Sequence, residues 1–390
     1  MKLGGFSLGF ELNELKRFEM LDKKEKQIVF YSENQNSMFI FEPLINELVQ
    51  KYHMNVCYVT SSKDESILKT TNEKIKTFCV GEGIARTKFF LNLQVDVLIM
   101  TMPDLGAFHI KRSKVYPVHY IYLFHSMVST HLVYNKKAFD SFDSIFCVGK
   151  YQIEEIRSAE KIYNLKPKNL IKYGYSHLDN LIEQSTMNKS NFSEQQPCVL
   201  LAPSWSSDGL FETLSEDMIR ILLKSHFKVI FRPHPMSQKK SKKKLESVFK
   251  KFSVDANFVL ENDVSNFNSF FSSNIIISDW SGVALEYAFS VERPVLYVDV
   301  PKKVRNPSYQ DIPHIPLEVS IRADVGNIIS PSEIESLPER INELLEKSEA
   351  FSHKIKNIRD EKIFNVGKSA KNGAEQIINL LNQTTGTNSI

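Results

Sequence analysis

Short runs of apolar, often β-branched residues alternate along this chain with segments whose apolar positions recur at helical spacing. In the first half the strand-like runs are QIVFYS (27–32), MNVCYVT (54–60), KTFCV (76–80), VDVLIM (95–100), YIYLFH (120–125) and SIFCVG (144–149). MFIFEPLINELVQKY, between the first two, has helical periodicity and completes one β-α-β unit. The polar stretch TMNKSNFSEQQP (186–197) interrupts the pattern and reads as a linker. The pattern then restarts with CVLLAPS (198–204), KVIFRPHP (228–235), FVLEN (258–262), NIIISDW (274–280) and PVLYVDV (294–300), separated by helical segments such as LSEDMIRILLKSH and SGVALEYAF. Strands this apolar, alternating with helices, are expected of parallel sheets covered on both faces. The expected fold is α/β, with two tandem Rossmann-like, doubly wound domains at 1–185 and 198–382, the linker at 186–197 and a frayed tail at 383–390. Such a pair sets a cleft between the carboxyl ends of two sheets, where α/β proteins bind ligands.

Composition narrows this picture. A length of 390 residues suits two domains, and 49 Lys plus Arg against 46 Asp plus Glu leave too little positive charge for a general nucleic-acid binder. Cys57, Cys79, Cys147 and Cys198 lie singly in apolar runs without C-x-x-C spacing, so they read as small buried residues of a reducing compartment. Glu11, Glu14 and Glu19 fall where a secretion signal would stay uncharged, and no run of about 18 apolar residues offers a membrane span. The expected location is the cytoplasm, or its membrane surface.

Chemistry is expected where strands end. Phe231-Arg232-Pro233-His234-Pro235 stops a buried strand in an arginine and a histidine, both suited to phosphate, with prolines that would hold the side chains outward. An isolated R-x-H reads equally as a solvated turn. Ser278-Asp279-Trp280-Ser281-Gly282 runs directly into a helix, whose first N–H groups and positive dipole end suit a phosphate, although Asp279 or Ser281 could serve as a plain N-cap. Glu286, about one turn further, could accept from ribose hydroxyls or simply be exposed. His125 is released at the end of an apolar strand, where it could act as a general base or be an ordinary core or surface histidine. His119, six residues earlier, is assigned to the ordinary role.

Together these motifs resemble the CDP-glycerol glycerophosphotransferase family, the teichoic-acid primases and polymerases, whose catalytic domains have a GT-B-like fold. The resemblance runs from about Gln27 onward and is densest from Tyr120 to Pro301. It is strongest in ISDWSGVALEYAFSVERPVLYVDVP, and LAPSW (201–205), FRPHP and YGYSHLD (173–179) are similar to other family elements. The resemblance implies His125 as catalytic base, and Arg232, His234, Ser281 and Gly282 as the grip on a donor pyrophosphate. It further implies Pro203, Ser204, Asp279 and Glu286 around the donor nucleotide and ribose. Ser126 and Met127 depart from the family's Gly-Thr after the histidine, and His177 stands in place of its usual arginine.

The implied reaction moves glycerol phosphate, or a related alditol phosphate, from a CDP-linked donor to a hydroxyl of a lipid-linked or polysaccharide acceptor, releasing CMP. No D-x-D metal clamp occurs, so no cofactor is required, although Mg2+ could accompany the pyrophosphate. The rivals are a GT-B glycosyltransferase for capsule or lipopolysaccharide, a nucleotide-sugar epimerase, and a noncatalytic nucleotide-binding scaffold. Finally, KKSKKKLESVFKKF (239–252) sets seven lysines against one glutamate. As a helix it would align Leu245, Val248, Phe249 and Phe252 as a stripe, which could cover the second sheet or meet an anionic membrane surface.

Overall fold

Among the described residues, which are 4–33, 37–107, 110–188, 196–263 and 265–386 of a computed structural model, thirteen strands form two wholly parallel sheets. The first contains β1 (Ile28–Ser32), β2 (Val56–Thr60), β3 (Ile75–Cys79), β4 (Val97–Met100), β5 (His119–Leu123), β6 (Ser144–Cys147) and β7 (Asn169–Lys172). Their order is β3-β2-β1-β4-β5-β6-β7. The second contains β8 (Cys198–Leu201), β9 (Lys228–Phe231), β10 (Phe258–Leu260), β11 (Ile275–Ser278), β12 (Val295–Val298) and β13 (Gly326–Ile329), in the order β10-β9-β8-β11-β12-β13. The chain order reverses between β1 and β4 and again between β8 and β11, so each sheet opens a crevice at its switch point. The expected doubly wound architecture is present in both halves.

Every residue of β1, β2, β4, β6, β8, β11 and β12 is buried, as central parallel strands covered by helices require. All four cysteines are buried and free. β7 and β13 lie outside the strand runs read from sequence; both are edge strands with one polar or half-exposed face, and neither forms an apolar run. In β13, Gly326 is required by close approach, because a Cβ there would overlap the Val295 carbonyl oxygen.

The two halves are closely joined. The helix Ser176–Met187 packs against the helix Val283–Val291. His177 lies between Phe39 of the first half and Phe267 of the second, with ring centroids 4.6 and 4.8 Å away. Burial, and then Arg232 nearby, lower its pKa to about 3, so it is a neutral ring in this sandwich. The expected linker lies largely outside the described residues, which resume at Gln196. After the second sheet, the chain crosses back. Asp179 accepts from the backbone N–H groups of Gly367 and Ser369 at 2.7 and 2.8 Å. The last helix, Ser369–Gly386, then packs against Met38–Gln50 of the first domain. It reaches into the expected tail, of which residues 387–390 lie outside the described ones.

The lysine-rich segment is helical from Lys242 to Phe252. Leu245, Val248 and Phe252 join the second domain's core, which fixes that stripe as a packing face, while Phe249 remains 47% exposed. No described helix is long and apolar enough to cross a membrane.

Candidate active site

Three neighbouring strands of the second sheet, β9, β8 and β11, deliver the residues expected to hold a donor to one end of the domain. Asp279 follows β11 and is almost wholly buried. Its carboxylate accepts from the backbone N–H groups of Ser204 at 2.6 Å and Leu210 at 3.3 Å, stapling the loop after β8 across the switch point. Ser278 adds a 2.7 Å bond to the Ala202 carbonyl. Asp279 therefore shapes the Pro203–Ser204 loop through main-chain contacts. Ser204 Oγ, also buried, has no hydrogen-bond partner among the described residues. Ser281 and Gly282 are half-buried at the start of Val283–Val291, where the first N–H groups of an α-helix have no intrahelical acceptor.

His234 caps the short helix Pro235–Lys240, its Nδ1 accepting from the Met236 N–H at 3.0 Å. That bond leaves the proton of the neutral ring on Nε2 as a fixed donor. Burial, and then Lys303 and Arg305, lower its pKa to about 4. Arg232 requires a correction. Its side chain turns inward instead of being held outward by the prolines, and Nη1 donates to Glu261 Oε2 at 2.6 Å and to the Asn266 carbonyl. Its guanidinium also lies 5.0 Å from the Phe267 ring centre. A buried guanidinium needs a counter-charge, and Glu261 at the end of the adjacent strand supplies it.

On the opposing side, His125 follows β5. Its ring keeps access to solvent but is hemmed in by protein, and this crowding lowers its pKa; the Thr101 carbonyl opposes the shift and Arg305 adds to it. A neutral imidazole is the form able to accept a proton. Tyr175 lies beneath it, its hydroxyl 2.9 Å from both the His125 carbonyl oxygen and Glu286 Oε1. Glu286 is thus buried between the halves and not exposed, and burial raises its pKa to about 7 against the opposing effects of Tyr175 and Arg232. A methyl group on Gly282 would collide with Ser126 Oγ, which shows how closely the helix start meets the segment after His125.

The structure therefore brings His125, His234, Ser281 and Gly282 to the facing ends of two sheets, with Pro203, Ser204 and Asp279 beside them and Glu286 one layer below. His119 is remote from this group in role, bonding through Nε2 to Ser144 Oγ at 2.8 Å. Sequence reading missed Tyr175 as a link between the halves. It also missed the loop after β12, where Lys302, Lys303 and Arg305 fall between Pro301 and Pro307. Three basic residues at a strand end were the available signal. Among the described residues no three His, Cys, Asp or Glu side chains converge as metal ligands.

The fold is shared with other solved proteins. A structure of the wall teichoic acid polymerase TagF soaked with CDPG superposes with a TM-score of 0.63 at 15% identity, covering 97% of this chain and 96% of that one. The UDP-GlcNAc 2-epimerase from Neisseria meningitidis, bound to UDP-GlcNAc, gives 0.59 at 15% identity, over 90% of this chain and 99% of its own. A putative UDP-N-acetylglucosamine 2-epimerase from Listeria monocytogenes gives 0.57 at 14%, over 89% and 94%. These likenesses establish a GT-B-like architecture. No curated protein sequence matches the chain significantly. The model of the CDP-glycerol:poly(glycerophosphate) glycerophosphotransferases matches residues 13–302, which include both facing strand ends, and the chain belongs to that family of transferases.

Proposed function

We propose that this protein transfers glycerol phosphate, or a related alditol phosphate, from a CDP-linked donor to a hydroxyl of a cell-surface polymer or lipid-linked acceptor, releasing CMP. The observation that carries this reading is the placement of a solvent-accessible His125 against the helix start at Ser281–Gly282, beside the Nε2–H of His234. In this mechanism the acceptor hydroxyl attacks the β-phosphorus as His125 takes its proton. A new P–O bond forms, the bond from the β-phosphorus to the bridging oxygen breaks, and CMP leaves with that electron pair. His234 and the helix start stabilise the charge gathering on the leaving phosphate. Ser204, with its unpartnered hydroxyl, faces the donor nucleotide from the loop that Asp279 holds. Arg232 acts one step removed, fixing the Phe267 loop, and Glu286 supports the His125 segment through Tyr175. The chemistry requires no cofactor, and magnesium would enter only with the donor's phosphates. The enzyme would work in the cytoplasm, at the inner membrane face when the acceptor is lipid-linked.

The test is incubation of the pure protein with CDP-, UDP-, GDP- and CMP-linked donors plus acceptor, with the released nucleotide identified. CMP from CDP-glycerol is the expected product. UDP or GDP release from a nucleotide sugar would replace this reading with sugar transfer, and nucleotide binding without turnover would leave only a scaffold.

A further inference from the structure

The loop that follows β12 contributes cations to the cleft that the site described above leaves unused. Arg305 is exposed and Lys303 half-exposed, and neither has a carboxylate within ion-pair distance among the described residues. Other arginines of the chain are neutralised: Arg232 by Glu261, Arg322 by Asp299, Arg359 by Glu292 and Arg112 by Asp143. The loop is also fixed in place. The backbone N–H groups of Arg305 and Asn306 reach across to the Leu132 carbonyl at 3.2 and 3.3 Å, and the Asn306 side chain donates to the His131 carbonyl at 2.8 Å. Both acceptors lie within seven residues of His125. On its other flank Lys303 Nζ stands 5.9 Å from the ring centre of Trp205, in the loop after β8. The loop thus bridges from the donor-side strand ends to the segment carrying His125.

We infer that Lys303 and Arg305 form a diphosphate clamp that, together with His234 and the Ser281–Gly282 helix start, holds the donor's two phosphates. The inference rests on the donor reading above and adds the residues that meet the donor's negative charge. Two unpaired cations beside two histidines repel one another, and a bound dianion relieves that repulsion. The charge of Arg305 lowers the pKa of both His125 and His234, so it is near enough to both imidazoles to act on each. Its planar fork suits two phosphate oxygens at once, whereas Lys303 offers a single point of charge. Lys302 serves as the control: its Nζ faces the Trp280 and Tyr309 rings at 5.9 and 6.0 Å, and it is not among the charges that shift His125 or His234.

The experiment measures calorimetric binding of inorganic pyrophosphate and of cytidine to the full-length protein and its Lys303→Ala, Arg305→Ala, Arg305→Lys and Lys302→Ala variants, followed by kcat and KM with CDP-glycerol. Each clamp Ala variant should weaken pyrophosphate binding by about tenfold to hundredfold, as expected for a charge-assisted bond, and leave cytidine binding unchanged. Arg305→Lys should recover part of the loss, and Lys302→Ala should match wild type. Arg305 ties the domains through its backbone N–H, which alanine retains, so melting temperatures should stay close to wild type. Wild-type protein that fails to bind pyrophosphate, clamp variants that bind it normally, or equal losses for pyrophosphate and cytidine would each overturn the clamp. If the pyrophosphate losses appear but CDP-glycerol is not turned over, the clamp stands and the donor assignment falls.

Discussion

Replacing Glu286 by glutamine removes one proton-binding group from a buried junction while keeping its shape. The Tyr175 hydroxyl lies 2.9 Å from both the His125 carbonyl and Glu286 Oε1, yet it has a single proton to give. When ionised, Glu286 competes with the carbonyl for that proton, which is how Tyr175 opposes the rise in its pKa; when protonated, Glu286 can donate to the tyrosine oxygen and free the tyrosine proton for the carbonyl. Burial agrees, holding the Glu286 pKa at about 7 against its ordinary 4.5. The folded protein therefore keeps a proton that the unfolded chain loses above pH 4.5. Glu286 contributes its full stability below that pH and loses it as pH rises towards 7, a change of roughly 3 kcal/mol. A glutamine amide at this position can donate to the same tyrosine oxygen at every pH, so Glu286→Gln should match wild type near pH 4.5 and exceed it by roughly 3 kcal/mol at pH 8. Both tryptophans, Trp205 and Trp280, lie in the second domain, so urea unfolding followed by their fluorescence at pH 5, 6, 7 and 8 reads the relevant transition. Other titrating groups are common to both proteins and cancel in the difference. A difference independent of pH, or one that shrinks as pH rises, would refute the protonated bridge.

Three further outcomes are expected. His125→Ala should lower turnover by about two to four orders of magnitude with little change in donor affinity or melting temperature; because its pKa is depressed, wild-type kcat should fall only below about pH 6.5, as the ring takes up a proton. His234→Ala and Ser281→Ala should weaken binding of CDP-glycerol far more than of cytidine, and equal losses by calorimetry would remove them from the phosphate site. For the membrane surface, Lys244 and Lys251 are bonded to Glu212 and Glu216, so the informative change is Lys239, Lys240, Lys243 and Lys250 together to Gln. Reduced sedimentation with anionic vesicles at low salt is expected, at about 1 kcal/mol per lysine, and wild-type protein that does not sediment at all would return the segment to a solvated face.

Central strands were legible because burial on both faces writes itself as an unbroken apolar run, whereas β7 and β13 each spend one side on solvent or a polar neighbour. Strand ends pointed to the right loops, but side-chain direction depended on partners distant in sequence. Arg232 turns inward because Glu261, 29 residues later, ends the next strand beside it. Glu286 had a readable signal: it is the one charged residue in VALEYAFSV, a helix that serves as packing for both domains. Lys303 and Arg305 satisfy the same strand-end rule as FRPHP, but PKKVRNP carries no histidine, serine or glycine to distinguish a phosphate site from a solvated basic turn.

The return of the last helix to the first domain has a mechanical consequence. Two halves joined by a single strand of chain behave like a ball joint, free to swivel as well as bend. Here the described chain leaves the first half at Asn188 and resumes in the second at Gln196, then returns at 363–369, where the crossing is clamped by Asp179. Two separated attachments resist twisting, so any relative motion of the halves, working against the packing of Ser176–Met187 on Val283–Val291, is confined to bending about the line through the two crossings. Facing groups such as His125 and His234 would then separate and meet again along one repeatable path.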